Sequence, residues 1–392
     1  MSFPRHHSVD LCTALNLDPS FFGSCCNRVT FDDSGEIVWI NEEASAPLPS
    51  GRILYSIRSV KPYLRIQFRE MEGFTTKRFP SVNSYAIMLD KLPGIDAYMQ
   101  QHFNKKYRGN TMRALRRLES SYAVKYERFY GEIDRDICDL RMGQLKGMIE
   151  QRFKERGEES DTLRIWDSIS DNIYNHILDK KASLFVISER NFPISISVCY
   201  HYGRLIFYYI TSYDISYSKF SPGILTMYRQ LEWSISNNYK VFDMGHGDLE
   251  YKRWWSNRID TTERYMWFNK KSPLLYVLCY LEGYKTSLMA YLISKKVNIY
   301  YKKALRKIGL LKTETLEVPD YSLKSVTDLN HLGTLDPLDE KGSHPLSLKT
   351  ALNDHLYHTG DHISDVSLLY APEHDAYIIK GKEHIQQVVY SN

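Results

Sequence analysis

Short apolar–polar alternations at residues 53–60 and 63–68 predict two strands joined at Lys61-Pro62. A third strand is predicted at 84–89. The first fifty residues are read as turn-rich, broken at Asp32-Asp33-Ser34-Gly35 and Pro47-Leu48-Pro49-Ser50-Gly51. Past Pro93 the spacing becomes helical. Residues 94–103 predict a short helix, and 105–120 a basic one with Met112, Leu115 and Leu118 on its apolar face. A strand at 123–129 leads into a regular series. Helices at 134–154 and 161–180 precede strands at 183–188, 194–202 and 205–213, the last two joined by a hairpin at Gly203-Arg204. A loop, 214–220, precedes a helix opening at Ser221-Pro222-Gly223, where Ser is a favoured N-cap and Pro a favoured first helical residue. A short strand at 239–243, broken by Gly245-His246-Gly247, a helical turn at 250–255 and a strand at 263–269 follow. The order ααβββαβαβ predicts an α/β (α+β) fold, a mixed sheet covered by helices.

Two stretches stand apart. Residues 273–312 carry eight Lys+Arg against Glu282 alone, interleaved with Tyr, Leu and Ile. Such a basic amphipathic helix either packs as a hairpin on the body or lies on an anionic membrane surface. Residues 313–392 hold seven of the thirteen histidines, with a small β element expected at 375–379. His355, His358 and His362 share one helical face by spacing, but Thr359-Gly360 interrupts it, and exposed polar residues are expected there rather than a zinc site.

Charge sharpens the division. From Thr313 onward there are five Lys, no Arg and 13 Asp+Glu, a net of −8, so residues 1–312 carry +12 and the whole chain +4. A basic body favours an anionic ligand, whether nucleic acid or the phosphates of a cofactor. Thirty Tyr against 16 Phe and 6 Trp suit both sheet packing and a wet cleft. The six cysteines include no C-x-x-C, which argues against a disulfide scaffold or a cysteine metal clamp. No apolar signal core opens the chain and no run of about 18 apolar residues occurs. A cytoplasmic protein is expected, with peripheral contact at the inner membrane face through 273–312.

The chemistry concentrates between Tyr213 and Trp255. A helix N-terminus exposes unpaired N–H groups and a positive dipole end, which suits a pyrophosphate; Gly223 permits close approach and Lys219 adds charge. Asp243 ends a strand beside glycines, where a carboxylate can orient or deprotonate an amine, or cap the turn. Lys252 can steady an oxyanion, and Tyr251 or His246 can deliver a proton.

Lys219-Phe220-Ser221-Pro222-Gly223-Ile224-Leu225, Phe242-Asp243-Met244-Gly245-His246-Gly247-Asp248 and Tyr251-Lys252-Arg253-Trp254-Trp255, in that order, resemble the GNAT acyltransferase superfamily. The nearest branch resembles the CelD-like acetyltransferases of bacterial polysaccharide biosynthesis, related to the FemAB peptidyltransferases. The resemblance spans about 100–270, including the basic helix around Arg113 and Arg117. It implies a degenerate N-terminal GNAT-like lobe at 1–122, a catalytic GNAT domain at 123–271, basic amphipathic helices at 272–312 and an acidic His-rich extension at 313–392. It implies acetyl transfer from acetyl-CoA to an amino sugar or related envelope precursor, without a metal. The pantetheine arm would enter between two splayed strands, and residues 219–225 would receive the pyrophosphate. Asp243, Lys252, Tyr251 and His246 would carry the chemistry, with Tyr209, Tyr213, Arg113, Arg117, Trp254 and Trp255 on the acceptor side. The common pyrophosphate signature, Arg/Gln-x-x-Gly-x-Gly/Ala, is absent. Two alternatives therefore stand beside acetyl-CoA: a FemAB-like transferase using aminoacyl-tRNA, and a non-catalytic GNAT-like binding subunit.

Overall fold

The computed structural model describes residues 5–41, 52–297, 320–329, 332–339, 342 and 344–390. The turn expected at 47–51 and the basic stretch 298–312 lie outside them. The N-terminal third, read as turn-rich up to residue 50, holds β1 (Arg5–Asp10), α1 (Leu11–Leu17), α2 (Pro19–Cys25), β2 (Cys26–Phe31) and β3 (Ile37–Ile40). Then come β4 (Ile53–Val60), β5 (Leu64–Phe68), β6 (Phe74–Met88), α3 (Ile95–His102) and α4 (Lys105–Ser121). β1 eluded the periodicity because it is a polar edge strand, paired in parallel with β4 from Arg5↔Ile53 to Asp10↔Arg58. β6 is far longer than the strand expected at 84–89. Its first half is polar and contains Pro80, which sits where the register with β12 shifts.

The second series follows the predicted order: β7 (Val124–Phe129), α5 (Arg135–Arg156), α6 (Asp161–Arg164), α7 (Trp166–Leu178), β8 (Ala182–Glu189), β9 (Phe192–Tyr202) and β10 (Leu205–Tyr213). A 3₁₀ turn (Ile215–Phe220) precedes α8 (Pro222–Ser236), β11 (Val241–His246), α9 (Glu250–Trp255), β12 (Arg258–Asn269) and α10 (Pro273–Ser294). The helix expected at 161–180 is broken at Ile165. Asp134 caps α5 by accepting from Asp136 N (2.9 Å), and Gly157 ends it in the left-handed region at φ 59°. Gly203 turns the β9–β10 hairpin at φ 53°, and a Cβ there would come within 2.8 Å of the Ile37 carbonyl oxygen, so glycine is required.

Nine strands form one mixed sheet in the order β1-β4-β12-β6-β11-β10-β9-β8-β7. β12, late in the chain, lies between β4 and β6, so the sheet is continuous across residues 122–123. One face packs on α1, α2, α5 and α7 through residues such as Leu15, Phe22, Leu145 and Ile173, with a small β3-β2-β5 sheet beside them. The other face packs on α3, α8 and α9 around Tyr98, Leu231, Phe242 and Trp255.

The acidic tail is a built domain rather than an appendage. It contains β13 (Tyr321–Ser325), β14 (Asp336–Leu338), α11 (Leu346–Thr359), β15 (Ser367–Ala371), β16 (Ala376–Lys380) and β17 (Ile385–Tyr390). The strands form an antiparallel sheet, β13-β17-β16-β15-β14. Leu348, Ala351, Leu352 and Leu356 of α11 share one buried core with Ala114, Leu115 and Leu118 of α4 and with Phe220 and Leu225. The three spaced histidines diverge. His355 is buried with Nδ1 2.7 Å from Gln386 Oε1, His358 is exposed, and His362 lies past the helix end, where its Nδ1 accepts from Ser364 N (3.2 Å). Gly360 stops α11 at φ 80° before His362 can join its face.

Candidate functional site

The central feature is a gap between two neighbouring strands. β10 and β11 run parallel but pair only from Leu205↔Val241 to Phe207↔Asp243, after which they part, β10 continuing beside β9 to Tyr213 and β11 beside β6 to His246. Two irregularities drive them apart. β10 bulges against β9 between Tyr208 and Ile210, and β11 loses register with β6 between Asp243 and His246, at Gly245 with φ 72°. Beyond the last shared pair the two strands make no further ladder pairs with each other. The Tyr208 hydroxyl is buried there without a hydrogen-bond partner among the described residues.

At one end of the gap lies the start of α8. Ser221 is not the expected side-chain cap: it sits at φ 54°, closing the 3₁₀ turn by donating its N–H to Ser218 O (2.9 Å), and its hydroxyl caps nothing. Its carbonyl accepts from Ile224 N (2.9 Å) and Leu225 N (3.2 Å). Pro222 has no N–H, so among the described residues the Gly223 N–H is the one left unbonded in this first turn. Gly223 lies against Tyr213, whose ring would be 3.4 Å from a Cβ at that position. The Arg152 guanidinium stacks 4.7 Å above the same ring. Lys219 and Ser221 are exposed, while Phe220, Pro222 and Leu225 are buried and hold the turn in place.

At the other end stands a charged cluster. Asp243 is buried, and both its oxygens are committed: Oδ1 accepts from Gly245 N (2.6 Å) and Oδ2 from the Tyr63 hydroxyl (2.6 Å). Lys61, also buried, places Nζ 3.5 Å from Oδ2. Burial works against the Lys61 charge, but Asp243 and then Asp10 outweigh it and hold its pKa above 10.5. Burial, reinforced by Asp243, keeps the Tyr63 phenol protonated. Lys252 on α9 donates Nζ to the His246 carbonyl oxygen at 2.7 Å. Burial lowers its pKa to about 8; Asp243 pulls the other way and Lys61 adds to the lowering. His246 keeps solvent access, yet the protein around its ring and then Lys61 and Lys252, against Asp10, hold its pKa below 6.5. Tyr251, one residue before Lys252, is pushed up to about 12 by burial.

Comparison with known proteins joins this geometry to a family. Residues 105–253 match the family described as "Acetyltransferase (GNAT) domain", a span holding both splayed strands, the α8 turn and Lys252. That span is similar to a GNAT-type acetyltransferase domain. Similar solved structures include FemX, at 13% identity and TM-score 0.40, covering 57% of this chain and 74% of FemX. A tandem GNAT protein from the clavulanic acid biosynthesis pathway matches at 6% identity and TM-score 0.29, over 55% of this chain and 62% of that one. A GCN5-related N-acetyltransferase from Sphaerobacter thermophilus matches at 10% identity and TM-score 0.27, over 56% and 60%. No curated protein matches the chain in sequence.

The remaining expected site residues scatter around the GNAT domain. Tyr213 lines the α8 end of the gap. Tyr209, at the bulge, is half-buried against Tyr200. Trp254 is exposed, but Trp255 is fully buried, donating Nε1–H to the Tyr107 hydroxyl (2.9 Å) and packing on Phe103, so it offers an acceptor no surface. Arg117 is drawn away to the tail, where its guanidinium covers Gly360 at the end of α11, and Arg113 is exposed on α4. Lys61, Tyr63, Asp10, Arg152 and Tyr208 were missed. Lys61 falls in the junction between two predicted strands, and Tyr63 opens the second of them. With Arg58 and Arg65 close by in sequence, nothing local singles Lys61 out.

Proposed function

We propose that this protein transfers an acyl group, acetyl from acetyl-CoA, to the amine of an amino sugar or related polysaccharide precursor. The observation that carries the reading is the gap between β10 and β11, with the α8 turn at one end and Lys252 at the other. A donor threaded there fits the residues present. The Gly223 N–H, Lys219 and Arg152 meet the pyrophosphate, and the Tyr208 hydroxyl gains a partner along the arm. His246, neutral near pH 7, accepts the proton of the attacking amine. Lys252, still largely cationic at pH 7, turns from the His246 carbonyl to the developing oxyanion. Tyr251 keeps its proton at neutral pH and supplies it to the departing thiolate. Asp243 then acts as a positioning residue, since both its oxygens are occupied in holding Lys61, Tyr63 and the Gly245 turn. The order of three motifs, resembling the CelD-like branch, supports the choice of acceptor.

One observation favours the aminoacyl-tRNA donor instead. Lys105, Lys106, Arg113 and Arg116 are exposed along α4 with no carboxylate partner among the described residues, a strip suited to a phosphate backbone. Labelled donors separate the two readings. Incubation with radiolabelled acetyl-CoA and a panel of amino sugars should give labelled product, and charged tRNA should give none. Label transferred only from aminoacyl-tRNA overturns the acetyl-CoA reading.

A further inference from the structure

α10 packs one face on the sheet, burying Leu275, Cys279 and Gly283 against Leu54, Phe79, Met266 and Phe268. Its opposite face is also apolar. Leu274, Val277, Leu281, Tyr284, Leu288 and Tyr291 succeed one another at intervals of three and four, the spacing of one continuous helical stripe, and each is 55–66% exposed. The stripe runs the length of a 22-residue helix, more contiguous apolar surface than isolated exposed residues account for.

Charge identifies what covers it. Glu282, the one carboxylate in 273–312, is shared between Arg264 (3.5 Å) and Lys285 (3.8 Å), and the rest of the helix sequence carries no negative charge. Lys285, Lys295 and Lys296 are exposed on the helix and at its end, and the following sequence adds Lys302, Lys303, Arg306, Lys307 and Lys312. A second copy of the chain would bring a like-charged helix against this one, whose single carboxylate is already paired with Arg264 and Lys285. An anionic bilayer surface satisfies both features: acyl chains take the Leu and Val side chains, tyrosines sit at headgroup level, and the lysines meet lipid phosphates. We propose that α10 docks the protein on anionic phospholipid membranes, lying in the interface without crossing it. Among the described residues no helix is long and apolar enough to span a membrane.

The test is co-sedimentation of the full chain with vesicles of phosphatidylcholine alone or with about 30% phosphatidylglycerol. The protein should sediment with the anionic vesicles and stay in solution with the neutral ones, and 0.5 M salt, which screens the lysine–phosphate attraction, should release most of it. Leu281→Glu with Leu288→Glu, both exposed and therefore tolerated by the fold, should weaken vesicle binding by about tenfold or more. Circular dichroism and acetyl-CoA binding should stay as in wild type. Failure of the wild type to sediment with anionic vesicles overturns the proposal. So does equal binding by the double variant, or a concentration-dependent dimer that this variant abolishes.

Discussion

Replacing Lys61 by methionine strands the Asp243 carboxylate. In the native protein the pair is 3.5 Å apart and both side chains are buried. At an effective dielectric of about 20, two unit charges at that distance attract by about 5 kcal/mol. The pair also pays for desolvating both ions, so its net worth is smaller, but removing one partner leaves the other's desolvation uncompensated. Breaking such a pair costs about 3–5 kcal/mol. The Tyr63 hydroxyl and Gly245 N–H remain on the carboxylate and keep the loss toward the lower end of that range. Lys61→Met with Asp243→Asn removes both charges and should lie within about 2 kcal/mol of wild type. Urea denaturation followed by tryptophan fluorescence measures wild type, Lys61→Met, Asp243→Asn and the double variant. The deficit of the single variant should shrink as pH falls, because protonating the stranded carboxylate removes the buried charge. A single variant within about 0.5 kcal/mol of wild type, or a double variant costing as much as the sum of the singles, refutes the account of this pair.

Three further outcomes follow from the same structure. Lys252→Ala should lower kcat by about 10²–10³ with donor affinity nearly unchanged, and the wild-type rate should fall as pH rises through about 8, where the Lys252 cation is lost; a rate that climbs through that pH contradicts the oxyanion role. The same lowered pKa means that the folded state sheds this proton between about pH 8 and 10.5 while the unfolded chain keeps it, so Lys252→Met should be more stable than wild type at pH 7, with a gain that narrows over that window in urea denaturation. Ending the chain at residue 319 should give insoluble or non-cooperatively unfolding protein, because it uncovers Ala114, Leu115, Leu118, Phe220 and Leu225, each large apolar side chain contributing about 1.5–3 kcal/mol when buried; a soluble, cooperatively folded fragment would show that the tail is dispensable.

Sequence periodicity captured the second half of the sheet well because its strands are buried on both faces and its helices carry clear caps, as at Asp134 and Gly157. It failed where tertiary partners override local pattern. β1 is polar because it is an edge, and the first half of β6 is polar because its pairing with β12 supplies the order its side chains do not. The Ser221-Pro222-Gly223 turn was legible as a helix start, but not its left-handed Ser221, which depends on the preceding 3₁₀ turn. Asp243, His246 and Lys252 lie within ten residues of sequence and were found together. Lys61 and Tyr63 come from about 180 residues away, beside β4, which the sheet order β4-β12-β6-β11 brings toward Asp243. Charge marks the tail off as an acidic extension, whereas its attachment rests on a few apolar residues of α11 that charge arithmetic does not register.

The central claim is that an acyl-CoA occupies the gap between β10 and β11 with its pyrophosphate at the α8 turn. Isothermal titration calorimetry of acetyl-CoA into the wild-type protein and into Gly223→Asp addresses it directly. The wild type should bind one equivalent saturably. The variant, which keeps its fold but sets a carboxylate beside Tyr213 where the pyrophosphate lies, should bind at least about tenfold more weakly. No heat of binding in the wild type, or equal affinity in the two proteins, contradicts the account.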